Sequence, residues 1–322
     1  MHFPILLYRG EQFNANFYYF SKCDIDHAFL LIEETSKTLL VPKLNEALAQ
    51  EQFDGKVIVY ENALETIKKR LMSSGPTIYI DGSATSMRLF EKLREFCRPK
   101  DISEELNAIR AVKNDEEIAK IEKAAKITKE IFDSIDFAKM RTENDVKKFL
   151  LIETLERGVE PAFEPIVATD RNSSFPHYRS GDVKLGDSLL IDYAVKYAHY
   201  CADLTRCFFL NNSIENKKRE ENYNSLIEIA KKIVTNLKNF KTGKDVALYS
   251  EKLIKEYKLP KLIHAIGHGI GLEVHESPKL GKKSKDKIAK RALAIEPAVY
   301  FKDCGLRYED DIYFDGKIAR IL

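Results

Sequence analysis

The sequence predicts an α+β protein in two parts: a smaller N-terminal α/β domain over residues 1–100, then a larger domain over 101–322. Three observations predict it. Up to Cys97, short aliphatic and β-branched runs alternate with helical spacings, as in a layered α/β unit. From Ser103 to Gly158 the pattern is amphipathic and helical. After that the texture changes to strands and turns, and acids begin to interrupt otherwise apolar runs.

In the first part, Ala28 to Ile32, Thr38 to Val41 and Lys56 to Tyr60 read as strands. Ala63 to Met72 has helical spacing, which Ser73-Ser74-Gly75-Pro76 stops. Thr77 to Asp81 is a further strand and Ser86 to Cys97 a further helix. No group of acids and histidines with an obvious chemical task occurs in this part. Arg98-Pro99-Lys100-Asp101 reads as the junction. The helical stretch beyond it breaks near Lys113 to Glu117, where Asn114 or Asp115 caps a new helix. Ile118, Ile121, Ala125 and Thr128 then repeat at helical spacing, the mark of a packing face. Thr142-Glu143-Asn144-Asp145 opens the next helix, to about Gly158.

Composition narrows the setting. With 322 residues and 44% apolar content the chain can build proper cores. Charged residues are 32% of it but nearly cancel, to a formal +2, which argues against a nucleic acid or an anionic membrane as partner. Five cysteines without framework spacing read as reduced thiols in a cytoplasmic protein. Met1-His2-Phe3-Pro4 lacks the pattern of a signal peptide, and no apolar run is long enough for a membrane span.

The chemistry concentrates between His264 and Pro278, which holds three of the seven histidines, at 264, 268 and 275, among glycines. The glycines follow G-x-G-x-G without a strand–helix frame, so they are no dinucleotide fingerprint. An H-E-x-x-H helix is excluded because its second histidine would fall at Lys279. Acids lie on either side of this stretch. Ser188 to Val195 is a buried-strand pattern interrupted by Asp192, and Tyr200 to Phe208 reads as its antiparallel partner. A turn at Tyr197-Ala198 sets Asp192 directly opposite Asp203, with β-carbons about 4.5–5.5 Å apart. Near the C-terminus a turn at Lys302-Asp303 sets Glu296 opposite Glu309, with Pro297 bulging the ladder or placing it at an edge. Arg307 shares a face with Glu309.

One acid in a buried strand is ordinarily a satisfied polar group. Two acid-bearing hairpins flanking a glycine-bracketed histidine shift the balance. Four carboxylates and one imidazole form an oxygen-rich set suited to two divalent cations, which activate water and clamp a carbonyl oxygen. That chemistry is hydrolysis.

Asp192, Asp203-Leu204-Thr205-Arg206, Gly267 to Gly271, His275-Glu276-Ser277-Pro278, Glu296-Pro297 and Arg307-Tyr308-Glu309-Asp310 resemble, in order and spacing, the motifs of the pita-bread metallopeptidases. That family includes methionine aminopeptidase, aminopeptidase P and prolidase. Arg110 to Ile118 resembles the start of its catalytic domain, and Phe163 to Val167 with Asn172 to Tyr178 its substrate-side loop. The N-terminal α/β part is similar to that of the aminopeptidase P and prolidase branch. The resemblance implies an exopeptidase that cuts between an N-terminal residue and proline. It implies two divalent ions, manganese first, with cobalt, zinc or iron also fitting the shell. Asp192, Asp203, His268, Glu296 and Glu309 would hold them. Glu296 would take a proton from water, His177 and His275 would contact substrate and move protons, His264 would line the proline-side pocket, and Tyr300 would border the site. Arg307 would support a ligating carboxylate, and the molecule would be a homodimer. Ala194, His199 and Ala298 replace glycines usual in the family, none of them at a ligand position. The alternative is a non-catalytic relative that binds peptides or proteins; in such relatives ligands are typically missing, whereas all five positions are filled here.

Overall fold

A computed structural model describes residues 2–71 and 75–322; Met1 and Met72 to Ser74, the predicted end of one helix, lie outside the described residues. The chain divides into two compact units, Met1–Arg110 and Ala111–Leu322.

The first unit is built on a six-stranded sheet. Its spatial order is Lys56–Tyr60, Lys37–Pro42, Ala28–Ile32, Ile5–Arg9, Thr77–Ile80 and Arg98–Asp101. The central pairs are antiparallel and the three outer pairs parallel. Strand residues alternate between two cores: Ile5, Leu7, Leu30 and Leu39 enter one, Leu6, Leu31, Leu40 and Ile78 the other. A sheet buried on both faces explains why these strands read as continuous apolar runs. The expected junction at Arg98 to Asp101 is instead an edge strand paired with Thr77–Ile80. An edge tolerates Pro99, which cannot donate to a ladder. The helix Ser103–Ala111 follows, and Ile102 and Leu106 pack into the first core, so the division falls after Arg110.

The second unit opens with the helix Asp115–Asp133, closed at its start by a capping box between Asn114 and Glu117. Ile118, Ile121, Ala125 and Thr128 are all buried. Thr128 also accepts a hydrogen bond from the Val195 N–H at 3.1 Å, which ties the helix to the first hairpin. Thr142 and Asp145 cap Glu143–Glu156 in the same way. Two further helices, Ile214–Asn236 and Gly243–Glu256, stand where only strands and turns were expected. The opening of the first, Glu215 to Asn222, is polar throughout, which hides its period. Ile229, Ile233, Val246 and Leu253 from these helices cover one face of a five-stranded sheet through Leu293, Ile295, Ile312 and Phe314. The opposite face carries His268, Ala294 and Asp311 in one cross-strand row. The small Ala294 lies between the two polar residues, and all three are buried.

A second sheet of Ile166–Thr169, Ser188–Asp192 and Thr205–Phe209 meets the first at one bridge. There Thr205 and Glu309 exchange backbone hydrogen bonds of 3.4 and 3.2 Å. Among the described residues no helix is long and apolar enough to cross a membrane. All five cysteines are free thiols and buried.

Candidate active site

The site is assembled from two hairpins and the glycine-flanked strand. The first hairpin turns at Ala198-His199, not at Tyr197-Ala198: Tyr197 pairs with Tyr200. Both turn residues have positive φ, 46° and 69°, as a two-residue turn matched to strand twist requires. The register therefore sets Asp192 opposite Thr205 rather than Asp203. A slip of two preserves the face, so Asp203 still lies diagonally beside Asp192.

The second hairpin turns at Lys302-Asp303, where the Phe301 N–H donates to the Cys304 carbonyl at 2.7 Å. Tyr300 pairs with Gly305 and Ala298 with Arg307, and beyond the interruption Ile295 pairs with Asp310. That register stands Glu296 across from Glu309. Pro297 has no N–H to give and splits the ladder into two sheets, while its carbonyl accepts from the Tyr308 N–H at 3.1 Å.

The bridge between sheets brings these acids to His268. Ligand-capable atoms gather within 4.8 Å in three overlapping groups: Asp192, Asp203 and Glu309; His268, Glu296 and Glu309; and Asp203, His268 and His275. The His268 Nδ1–H faces the Gly269 carbonyl at 3.1 Å, leaving Nε2 as a lone-pair acceptor. Nε2 lies 3.6 Å from Asp203 Oδ2, 3.8 Å from Glu296 Oε1 and 4.0 Å from Glu309 Oε1. Acceptors facing acceptors at these distances leave a space that fits a cation and no hydrogen bond. Asp192 Oδ1 is buried without a hydrogen-bond partner, which fits the same occupant.

The electrostatics agree. Burial pushes Asp203 and Glu296 well above the usual carboxylate range, and Glu309 is the next cause for both. Burial and then Asp192 push Glu309 up to about 7. Asp192 is raised by burial despite its ion pair with Arg307. Burial holds His264 and His268 down to about 4, so neither imidazole neutralises the acids at pH 7. Oxygen-rich donors with one neutral imidazole match divalent manganese, cobalt, iron or zinc.

Arg307 supports the acids from behind. Its guanidinium donates to Asp192 Oδ2 at 2.5 Å, to Thr205 Oγ1 at 3.0 Å and to the Tyr300 hydroxyl at 3.1 Å. The Thr205 hydroxyl in turn donates to Glu309 Oε2 at 2.6 Å. Arg307→Leu strands three acceptors, on buried Thr205 and half-buried Asp192 and Tyr300, so the metal-free protein is expected to lose about 3–5 kcal/mol, read from the urea midpoint. Arg307→Lys should recover only part, because an ammonium lacks the planar fork.

Three residues of this neighbourhood escaped the sequence reading. Thr205 was passed over as part of a motif. Asp311 accepts the Asp203 N–H at 2.9 Å from a fully buried position, and its parity with Glu309 was the available signal. Buried Glu143, read only as a helix opener, accepts from the Thr169 and Gly181 N–H groups and from Asn172 Nδ2, tying down the loop that carries His177. The glycines have a packing reason: a β-carbon on Gly269 would fall 2.2 Å from the Ser277 carbonyl oxygen of the neighbouring strand.

Around the cluster, His264 Nε2 bonds the Tyr300 hydroxyl at 3.0 Å and its Nδ1 lies 3.5 Å from Glu296 Oε2. The His275 ring lies 4.2 Å from that of His268. Exposed His177 sits within electrostatic reach of both His264 and His275.

Four carboxylates and a histidine gathered where two sheets meet, in a chain that opens with an α/β unit, define a metallopeptidase of the pita-bread class. Comparison with known proteins agrees. The chain belongs to metallopeptidase family M24, whose profile matches residues 119–315, and the creatinase/prolidase N-terminal domain profile matches residues 11–112. An uncharacterized peptidase of Methanocaldococcus jannaschii is 33% identical over 91% of this chain and 84% of its own. An Xaa-Pro dipeptidase of Pyrococcus furiosus is 29% identical over 96% and 90%. The crystal structure of an X-Pro aminopeptidase from Thermotoga maritima matches with a TM-score of 0.89 at 26% identity, covering 98% of this chain and 94% of that one.

Proposed function

We propose that the protein is an Xaa-Pro peptidase that hydrolyses the bond between an N-terminal residue and proline with two divalent cations. The observation that carries this reading is the convergence of His268 Nε2 with the carboxylates of Asp203, Glu296 and Glu309 at 3.6–4.0 Å, each beyond hydrogen-bond reach. Asp203, His268 and Glu309 each belong to two of the three ligand groups, so the cluster is larger than one ion needs.

Asp192, Asp203, His268, Glu296 and Glu309 would hold the ions, which supply a polarised scissile carbonyl and a water acidic enough to attack at neutral pH. Glu296, beside His268 and Glu309, would accept the proton that such a water gives up. His275 and His177 face the substrate and donate toward the developing oxyanion. His264 and Tyr300, held together by their hydrogen bond, border the proline side. Arg307 keeps Asp192 in the orientation that its role requires. Both dipeptidase and aminopeptidase relatives occur, so a substrate-length series decides the preferred peptide. The five buried thiols support a cytoplasmic setting. A homodimer rests on family resemblance and is checked by light scattering.

An Xaa-Pro dipeptide and a longer Xaa-Pro peptide, assayed with manganese or cobalt, should show cleavage after the first residue that chelator abolishes and metal restores. Failure to cleave either substrate with metal present would remove the proposal.

A further inference from the structure

Glu276 begins the strand Glu276–Lys279, directly after His275. Its carboxylate meets Lys113 Nζ at 2.7 Å, and both side chains are 2% exposed. The two residues are 163 positions apart.

Each partner is anchored. The Lys113 N–H donates to the Lys290 carbonyl at 3.2 Å, and the next residue, Asn114, caps a helix whose Glu117 accepts from the buried Tyr200 hydroxyl at 3.0 Å. The ammonium therefore projects from a fixed base. On the other side, Glu276 Oε1 accepts from the Glu273 N–H at 3.2 Å. A β-carbon on Gly271 would come within 2.7 Å of Glu276 Oε2, so the chain wraps closely around this carboxylate. The Gly271 carbonyl accepts from the Cys201 N–H at 2.7 Å, fastening the loop to the first hairpin. The Glu276 carboxylate is thus the hub of the turn from Ile270 to His275.

A buried ion pair adds little net stability, because desolvating two charges offsets their attraction, and apolar residues of similar volume would pack as well. What the pair provides is a set distance and direction. We propose that Lys113 is a positioning residue which, through Glu276, holds His275 against His268 at the ring distance of 4.2 Å. The inference rests on the peptidase reading for its kinetic consequence but not for its geometric one.

The test uses the full-length, metal-loaded protein and the double variant Lys113→Met/Glu276→Gln, which removes both charges together. Bound metal, thermal unfolding and steady-state kinetics are measured, and the His275 imidazole NMR signal is recorded on the diamagnetic zinc-loaded form. The variant is expected to stay folded with wild-type metal content. Its kcat should fall about 100-fold, as for a displaced catalytic group, while KM stays within about twofold. The His275 signal should shift, and adding His275→Ala should cause no further loss of kcat. Wild-type kcat in the folded double variant, or losses that multiply with His275→Ala, would overturn the proposal. Should the double variant not fold, Glu276→Asp shortens the strut by one methylene. It should shift the His275 signal and lower kcat about tenfold, and an unmoved signal with wild-type kcat would overturn the proposal. If the wild type cleaves no Xaa-Pro substrate, the activity reading fails by itself. The NMR signal then decides alone: a shift upholds the positioning role, and no shift ends it.

Discussion

Asp203→Asn is expected to lower kcat/KM by on the order of 10³-fold or more, and at the same time to make the metal-free protein more stable above neutral pH. The two effects have one cause. Asp203 is buried beside Glu309, Asp192 and Asp311, and each of them opposes its ionisation. Without a cation, its charge is a burden on the fold. With a cation, the same charge is the binding site. An asparagine mimics the protonated acid, so at pH 5 in chelator the variant and the wild type should melt alike. As pH rises the variant should melt progressively higher. Excess manganese should reverse the order, because the wild type gains more from binding. Thermal melts across pH, with and without manganese, beside kcat/KM, make the test. Full activity in the variant, or a metal-free variant that melts well below the wild type at pH 8, would refute the account.

The second large effect is the pH dependence of the metal-free protein. Asp192, Asp203, Glu296, Glu309 and Asp311 all have raised folded-state pKa values, burial being the first cause in each. A raised carboxylate lets the folded chain bind more protons than the unfolded one, so stability is full at low pH and falls as pH rises through the folded value. For Glu309 the window runs from its ordinary 4.5 to about 7, on the order of 3 kcal/mol. The histidines oppose this over part of the range. His264 and His268, lowered from 6.5 to about 4, add stability as pH rises across that interval and nothing above it. Above about pH 6.5 the imidazoles no longer oppose the acids, so any fall measured there belongs to the carboxylates alone. Metal binding must displace the held protons, so calorimetry at pH 6.5 in two buffers of different ionisation enthalpy should register proton release. Metal-free stability that stays flat or rises above pH 6.5, together with binding that releases no protons, would contradict the crowded-acid description.

The second hairpin was legible to the residue, the first only to the face. Lys302-Asp303 carries a turn-favouring aspartate, which the first turn lacks, and the pairs Ala298–Arg307 and Ile295–Asp310 follow from a turn there. The first turn contains neither glycine nor asparagine, so nothing local marks Ala198 and His199 as the residues that take positive φ. Asp192 was therefore given the wrong partner, yet the candidate cluster survived, because a two-residue slip leaves every side chain on its own face. The edge strand Arg98–Asp101 was read as a linker because edges accept polar residues and proline. The helix Ile214–Asn236 was missed because its polar first turns carry no apolar period, its stability coming from the packing of Leu226, Ile229 and Ile233.

By itself the sequence determined the residue types, their order and the face that each one occupies, since helix and strand periods are local properties. Tertiary structure decided that the two hairpins share a site. The Thr205–Glu309 bridge spans 104 positions, and the Lys113–Glu276 pair spans 163. Contacts at such separations depend on how whole layers pack, and no local periodicity encodes that distance.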